Sequence, residues 1–254
     1  QVDRNYHASS ASNFLGEDGT EGMKAGMARN VTSVQQPDTV PWKLGIDAAG
    51  MGNDEIILWA RRGRLNLPPE VYQKMDGVQL AGLIERKATL LLQTGPIDLI
   101  SIERDGPGGS AADQLMYGPF KSIVRAVHTG AKLKDGKNYN LRAYLHDQAR
   151  DYLVDQECVL PNDNIFEGQA TAIQASYKGG LLLIESKDEY RARFALGRGK
   201  QEKAASKSPD RWDAFMLTFT PSRAKPIRQT QGDSEFFPSR RNANWKAQDA
   251  VMGY

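Results

Sequence analysis

Residues 97–102, Ile-Asp-Leu-Ile-Ser-Ile, constrain the fold of this chain more than any other segment. A short run dominated by Ile and Leu reads as a strand buried on both faces. Such a strand needs layers of structure above and below it, which favours an α/β architecture over a bundle or a sandwich. The flanking residues agree. Leu80, Leu83, Ile84, Ala88, Leu91 and Leu92 recur at helical spacing over residues 78–92. Gly95-Pro96 stops that helix immediately before the strand.

The same reading extends along the chain. Residues 42–46, 55–62 and 64–67 form a meander of strands. A short helix follows over 106–117, then a strand at 122–127. Leu141, Tyr144, Leu145, Ala149, Tyr152 and Leu153 predict a helix over 138–156. Residues 171–177 and 181–185 flank Lys178-Gly179-Gly180 as a hairpin, and residues 209–219 are the last helix. Three strands followed by alternating strands and helices imply an α/β fold with a mixed β-sheet and helices on both faces. Residues 1–41 are rich in Ser, Gly, Asn, Asp and Thr and are expected to be a loosely ordered leader or linker. The globular domain is expected over 42–220 and a polar, basic tail over 221–254. The chain starts at Gln1, which suggests a processed protein or a fragment of a longer one.

Composition sets limits. With 254 residues, 40% hydrophobic and 25% charged, the chain suits one substantial globular domain with extensions, or two small ones. Its formal net charge of +2 does not by itself point to nucleic acid. The single cysteine, Cys158, excludes an internal disulfide and, beside Val159 and Leu160, reads as a buried small hydrophobe. No apolar run reaches the length of a membrane span. His7, His128 and His146 have no metal-ligand spacing. No Gly-x-Ser-x-Gly elbow and no Gly-x-x-x-x-Gly-Lys-Ser/Thr phosphate loop occurs, so no ATPase motif is present.

Three acids sit at element boundaries. Asp47 ends the first strand. Glu103 ends the apolar strand on the face shared with Leu99 and Ser101. Asp213 lies one turn into the last helix. Taken singly they are a turn acid, a strand-end acid and an acid placed well for the helix dipole. Taken together, carboxylates from three elements can form a hard-oxygen site for Mg²⁺ or Mn²⁺. Two ions about 3.5–4 Å apart would suit phosphodiester hydrolysis. Asp105, in the loop after Glu103, and Asp210, three residues before Asp213, are further candidate ligands; Asp210 could instead cap its helix. Arg191, Arg193, Arg198, Lys200, Lys203 and Lys207 lead into the Asp213 helix, with Glu202 as the one acid in that stretch. Such side chains could hold phosphates without reading bases, or form a solvated loop. Arg61, Arg62 and Arg64 form a second basic group.

These motifs resemble those of the nuclease domain of the tailed-bacteriophage terminase large subunit. The resemblance spans roughly residues 42–220. It rests on Gly45-Ile46-Asp47-Ala48-Ala49 with Gly52-Asn53-Asp54, and on Glu103-Arg104-Asp105-Gly106-Pro107-Gly108 with Asp113-Gln114-Leu115. It rests also on Ile184-Glu185-Ser186-Lys187-Asp188 and Ser208-Pro209-Asp210-Arg211-Trp212-Asp213-Ala214. It implies an RNase H-like fold and a two-metal endodeoxyribonuclease that uses Mg²⁺ or Mn²⁺. Asp47, Glu103 and Asp213 would be catalytic, and the substrate would be concatemeric double-stranded viral DNA, cut with low sequence specificity during genome packaging. Implied partners are the portal protein, the small terminase subunit and an ATPase domain missing from this chain. The implied location is the bacterial host cytoplasm at the procapsid portal. Two other readings remain: another RNase H-like nuclease of the Holliday-junction resolvase type, or a non-catalytic DNA-binding or capsid-assembly module.

Overall fold

The computed structural model describes residues 12–29, 37–48, 55–104, 107–155, 157–196, 208–222 and 226–228. The elements in chain order are β1 (Ser12–Asn13), α1 (Gly16–Ala28), β2 (Trp42–Asp47), β3 (Ile56–Arg62), β4 (Leu65–Asn66), β5 (Glu70–Tyr72), α2 (Gly77–Leu92), β6 (Ile97–Glu103), α3 (Pro107–Leu115), β7 (Val124–Val127), α4 (Leu141–Asp155), α5 (Asn164–Ala172), β8 (Gln174–Lys178), β9 (Leu181–Ile184), α6 (Lys187–Leu196) and α7 (Asp210–Leu217).

The main sheet runs β4-β3-β2-β6-β7, with β5 also paired to β3. β2 is antiparallel to β3 and parallel to β6, and β6 is parallel to β7. The alternation of side chains along each strand divides the core in two. Leu44, Ile46, Ile100 and Ile102 face α2 and α3, packing on Leu80, Ile84, Ala112 and Leu115. Ile57 and Trp59 face the other way, toward α4, α5 and α7. Trp59 lies against Phe166 at 4.6 Å and Phe215 at 5.3 Å between ring centroids. Each of these buried rings is worth about 3–5 kcal/mol against alanine, so α7 is firmly held over the sheet. A smaller sheet, β1-β8-β9, stands beside the main one.

Helix α7 sits unusually close to β2. A Cβ at Gly45 would collide with the Ala214 carbonyl oxygen. Arg61 secures the far end of α7: its Nε donates to Thr218 Oγ1 at 2.8 Å and its Nη2 to the Thr218 carbonyl at 2.8 Å. Its guanidinium also lies 4.1 Å from the centre of the Phe219 ring. Arg62 donates to the carbonyls of Val40, Thr94 and Pro37. Both arginines are buried fasteners of the fold, and of the second basic group only Arg64 remains substantially open to solvent.

The expected mixed sheet with helices on both faces is present. Described residues near both ends contribute to the packed domain. Within the expected leader, Phe14, Leu15 and Met23 are buried in the core, and α1 packs along α4. The glycines make this possible: a side chain at Gly22 would collide with the Leu153 carbonyl. Within the expected tail, Ile227 exchanges two backbone hydrogen bonds with Ile97, at 2.7 and 3.0 Å. Residues 229–254 lie outside the described residues, as do 1–11. Cys158 is buried, and burial pushes its thiol up to about 11, as suits an inert core residue. No helix of the described residues is long and apolar enough to cross a membrane.

Candidate active site

Parallel pairing of β2 with β6 brings two of the expected acids side by side. Asp47 and Glu103 both end their strands on the α7 face, and α7 lowers Asp213 onto them. All three surround one ammonium group. Lys187 Nζ lies 2.7 Å from Asp47 Oδ1, 2.9 Å from Glu103 Oε2 and 3.4 Å from Asp213 Oδ2. These oxygens are therefore within twice the longest of those distances of one another. Asp210 is also buried here, close enough to Asp47 and Lys187 to feel both charges. It does not cap α7, whose N-cap is Pro209 and has no side-chain cap hydrogen bond. Asp105 lies outside the described residues, as do Ala49, Gly52, Asn53 and Asp54 of the first motif.

A second cation braces the site from α4. Arg142 Nη1 donates to Asp213 Oδ2 at 3.2 Å, and Arg142 Nη2 stands 3.1 Å from Asp213 Oδ1. Its Nε donates to the Glu185 carbonyl at 3.2 Å. One turn along α4, His146 Nδ1 meets the Arg142 carbonyl at 2.8 Å. Burial, reinforced by Arg142, lowers the His146 pKa to about 3, so the ring is neutral at physiological pH. Thr129 Oγ1 donates to Glu103 Oε1 at 3.0 Å.

The electrostatics separate the acids. Burial favours protonation of all of them. At Asp47 burial prevails, aided by Asp210, Glu103 and Asp213 against Lys187, and its pKa stands well above the usual carboxylate range. Asp210 is raised for the same primary reason. At Glu103 burial is outweighed, chiefly by Lys187, and at Asp213 it is outweighed by Arg142 and then Lys187; both are lowered. Lys187 is driven the opposite way from what its burial favours, held charged by Asp47, Asp213 and Glu103. Four carboxylates thus face two cations, and burial with the neighbouring negative charge disfavours ionisation of Asp47 and Asp210.

This donor set fits a hard divalent ion. Asp47 Oδ2 is buried without a hydrogen-bond partner, an unfavourable state that a cation would relieve. Among the described residues, no group of three or more His, Cys, Asp or Glu side chains is already spaced to hold a metal. The carboxylates are instead drawn around Lys187, whose ammonium occupies the centre that a metal would need.

Lys187 and Arg142 have no role in the expectations from sequence. The Ile184–Asp188 segment is legible there only as part of a resemblance, and Arg142 looks like an ordinary polar position on a helix. The expected basic stretch fares differently. Arg193, on α6, is committed to Glu185 at 2.6 Å and to the Ala172 carbonyl at 2.7 Å, so its guanidinium is engaged in holding α6 rather than open for phosphate. Arg191 pairs with Asp188 one turn away. Arg198, Lys200, Lys203 and Lys207 lie outside the described residues.

Comparison with known proteins agrees with this architecture. No protein-family model matches the chain, and no curated protein matches it. Solved structures do. The nuclease domain of the large terminase subunit gp2 of bacterial virus Sf6 superposes with a TM-score of 0.55 at 16% identity, covering 80% of this chain and 98% of that one. A lysine-to-alanine variant of that domain, with manganese and beta-thujaplicinol, gives a TM-score of 0.52 at 15% identity, covering 83% and 97%. The same variant with calcium gives 0.52 at 16%, covering 82% and 97%. The chain therefore has the RNase H-like fold of these phage terminase nuclease domains.

Proposed function

We propose that this protein is a metal-dependent endodeoxyribonuclease that cuts viral DNA during genome packaging. The observation that carries the reading is the convergence of Asp47, Glu103 and Asp213, from two parallel strands and a helix, on one cationic centre. Mg²⁺ or Mn²⁺, as a pair of ions between these three carboxylates with Asp210 and Asp105 as further ligands, would supply an activated water and neutralise charge at the phosphoryl group. Asp47 would offer both carboxylate oxygens to the ions in this reading, Oδ1 from beside Lys187 and Oδ2 from a buried position with no hydrogen bond. Arg142 keeps Asp213 ionised and fixed in orientation. Thr129 orients Glu103. Lys187 lies among the three carboxylates that would hold the ions and offsets part of their charge.

Double-stranded DNA is the substrate in this reading. The portal protein, the small terminase subunit and an ATPase domain are the partners, and the bacterial host cytoplasm at the procapsid portal is the location. Support comes from the motifs and the shared fold. The test is cleavage of supercoiled plasmid with Mn²⁺, with EDTA, and by Asp47→Ala. Metal-dependent cleavage by the wild type alone supports the proposal. Equal cleavage by a folded Asp47→Ala protein refutes it, and a strong preference for four-way junctions over linear duplex favours a resolvase instead.

A further inference from the structure

An acidic centre repels the polyanion it is to cut, so positive charge must stand beside it. The structure supplies such charge in the connection from β7 to α4, a segment to which neither the motifs nor the fold comparison assigns a role. This connection is tied to the site at one end, where Thr129 donates to Glu103, and at the other by Arg142, the partner of Asp213. Between these points lie Lys132 and Lys134. Lys132 is exposed, and neither lysine makes an ion pair among the described residues.

The connection is built rather than loose. Asp135 Oδ1 accepts from the backbone N–H groups of Lys137 and Asn138, and its Oδ2 accepts from Asn138 Nδ2. This acid is thereby occupied within its own turn. Lys132 pairs with Asn140 across the base of the loop, and the Leu141 N–H donates to the Ala131 carbonyl. The loop is also docked on the β8–β9 hairpin: Tyr139 N–H donates to Leu182 O, and Leu182 N–H to Lys137 O, each at 2.8 Å. Across this junction Lys178 lies 5.0 Å from the centre of the Tyr139 ring. Lys137 is neutralised by the buried Asp147, which leaves Lys132, Lys134 and Lys178 as the available charges.

We infer that this ridge, the 128–140 connection with the β8–β9 turn, is the surface that holds the phosphate backbone of duplex DNA beside the carboxylates. The inference rests on the reading of the carboxylate cluster as a phosphodiesterase centre. Lysine ammonium groups on a fixed backbone grip phosphates as point charges without reading bases. The ridge is thus a DNA-holding element beside the Arg191–Lys207 stretch, of which Arg198, Lys200, Lys203 and Lys207 lie outside the described residues.

The test compares two charge-matched variants, Lys132→Glu with Lys134→Glu, and Lys24→Glu with Lys121→Glu. Lys24 lies on α1 and Lys121 precedes β7, at the opposite end of that strand from Glu103. Duplex binding is measured in EDTA, without cleavage, across a salt series. Hydrolysis of bis(p-nitrophenyl) phosphate with Mn²⁺ reports on the carboxylate centre separately. The ridge variant is expected to bind duplex about tenfold more weakly and to lose roughly two units of salt slope, one per phosphate contact. Its hydrolysis of the small diester should be unchanged, and the control variant should bind like wild type. Lys178→Glu should weaken binding by a smaller factor. Equal weakening in both doubles, no weakening in the ridge double, or no duplex binding by the wild type would each overturn the inference. Duplex binding that depends on the ridge, with no diester hydrolysis by the wild type, would sustain the ridge and defeat the nuclease reading instead.

Discussion

Replacing Lys187 with methionine tests the electrostatic balance of the site most sharply. Its ammonium lies 2.7–3.4 Å from three carboxylates, with its side chain 24% exposed. At an effective dielectric constant near 20, each contact is worth about 5–6 kcal/mol of attraction before desolvation is counted. Removing one partner from a buried ion pair costs about 3–5 kcal/mol. Protons taken up by Asp47 and Asp210 soften the loss, so a cost of about 3 kcal/mol, the lower end of that range, is expected. For a chain of this size that is roughly 6–12 °C in Tm, measured by thermal denaturation in EDTA. Metal should narrow the gap. The variant has no resident cation to displace, and each 1.4 kcal/mol of avoided displacement tightens metal binding about tenfold. Mn²⁺ at about a hundred times its Kd adds about 2.7 kcal/mol of stability.

The pH dependence has a definite sign. Asp47 has a raised pKa in the folded protein, so its contribution to stability is present at low pH and is lost as pH rises through that value. The metal-free protein should lose stability over that rise, and the gain from Mn²⁺ should grow over the same window. A Lys187→Met protein as stable as wild type in EDTA, or one that Mn²⁺ stabilises no more than wild type, would refute this reasoning.

Other substitutions probe the supports of the site. Gly45→Ala forces a methyl group against the Ala214 carbonyl and should cost at least about 1–3 kcal/mol in denaturant titration while lifting Asp213 away from Asp47. Arg142→Met leaves Asp213 buried beside an unpaired cluster and should cost about 3–5 kcal/mol in the metal-free protein, with Mn²⁺ recovering part of the loss. Deleting residues 1–28 removes Phe14, Leu15 and Met23 from the core, each worth about 1.5–3 kcal/mol. That truncation should unfold or aggregate, and a protein of unchanged Tm would show that α1 is dispensable.

The carboxylate face is legible in the sequence because strand alternation is a strict two-residue rule. Once β6 is recognised by its Ile and Leu residues, Glu103 has to share a face with Ser101 and Leu99, and the structure puts that face under α7. The helices α2, α4 and α7 are equally legible from their apolar spacing. What stays hidden is polar or glycine-rich. In α1, Gly19, Gly22 and Gly26 look like linker residues, yet their smallness lets the helix lie against α4 and the 158–160 segment. In α6, Tyr190 is the fully buried residue among those whose side chains are described, so the segment reads as a solvated basic loop. Lys187 and Arg142 escape notice because a cation that neutralises buried acids looks, in sequence, like any surface lysine or arginine. Their roles depend on contacts across 140 and 71 positions of chain.

Asp47, Glu103 and Asp213 are proposed to form a divalent-metal site around Lys187. Anomalous diffraction from crystals soaked in Mn²⁺ tests it most directly. The account predicts strong peaks between these three carboxylates, with the Lys187 ammonium displaced from the centre and Arg142 still on Asp213. Manganese bound elsewhere, with Lys187 still in contact with all three acids at high Mn²⁺, would contradict it.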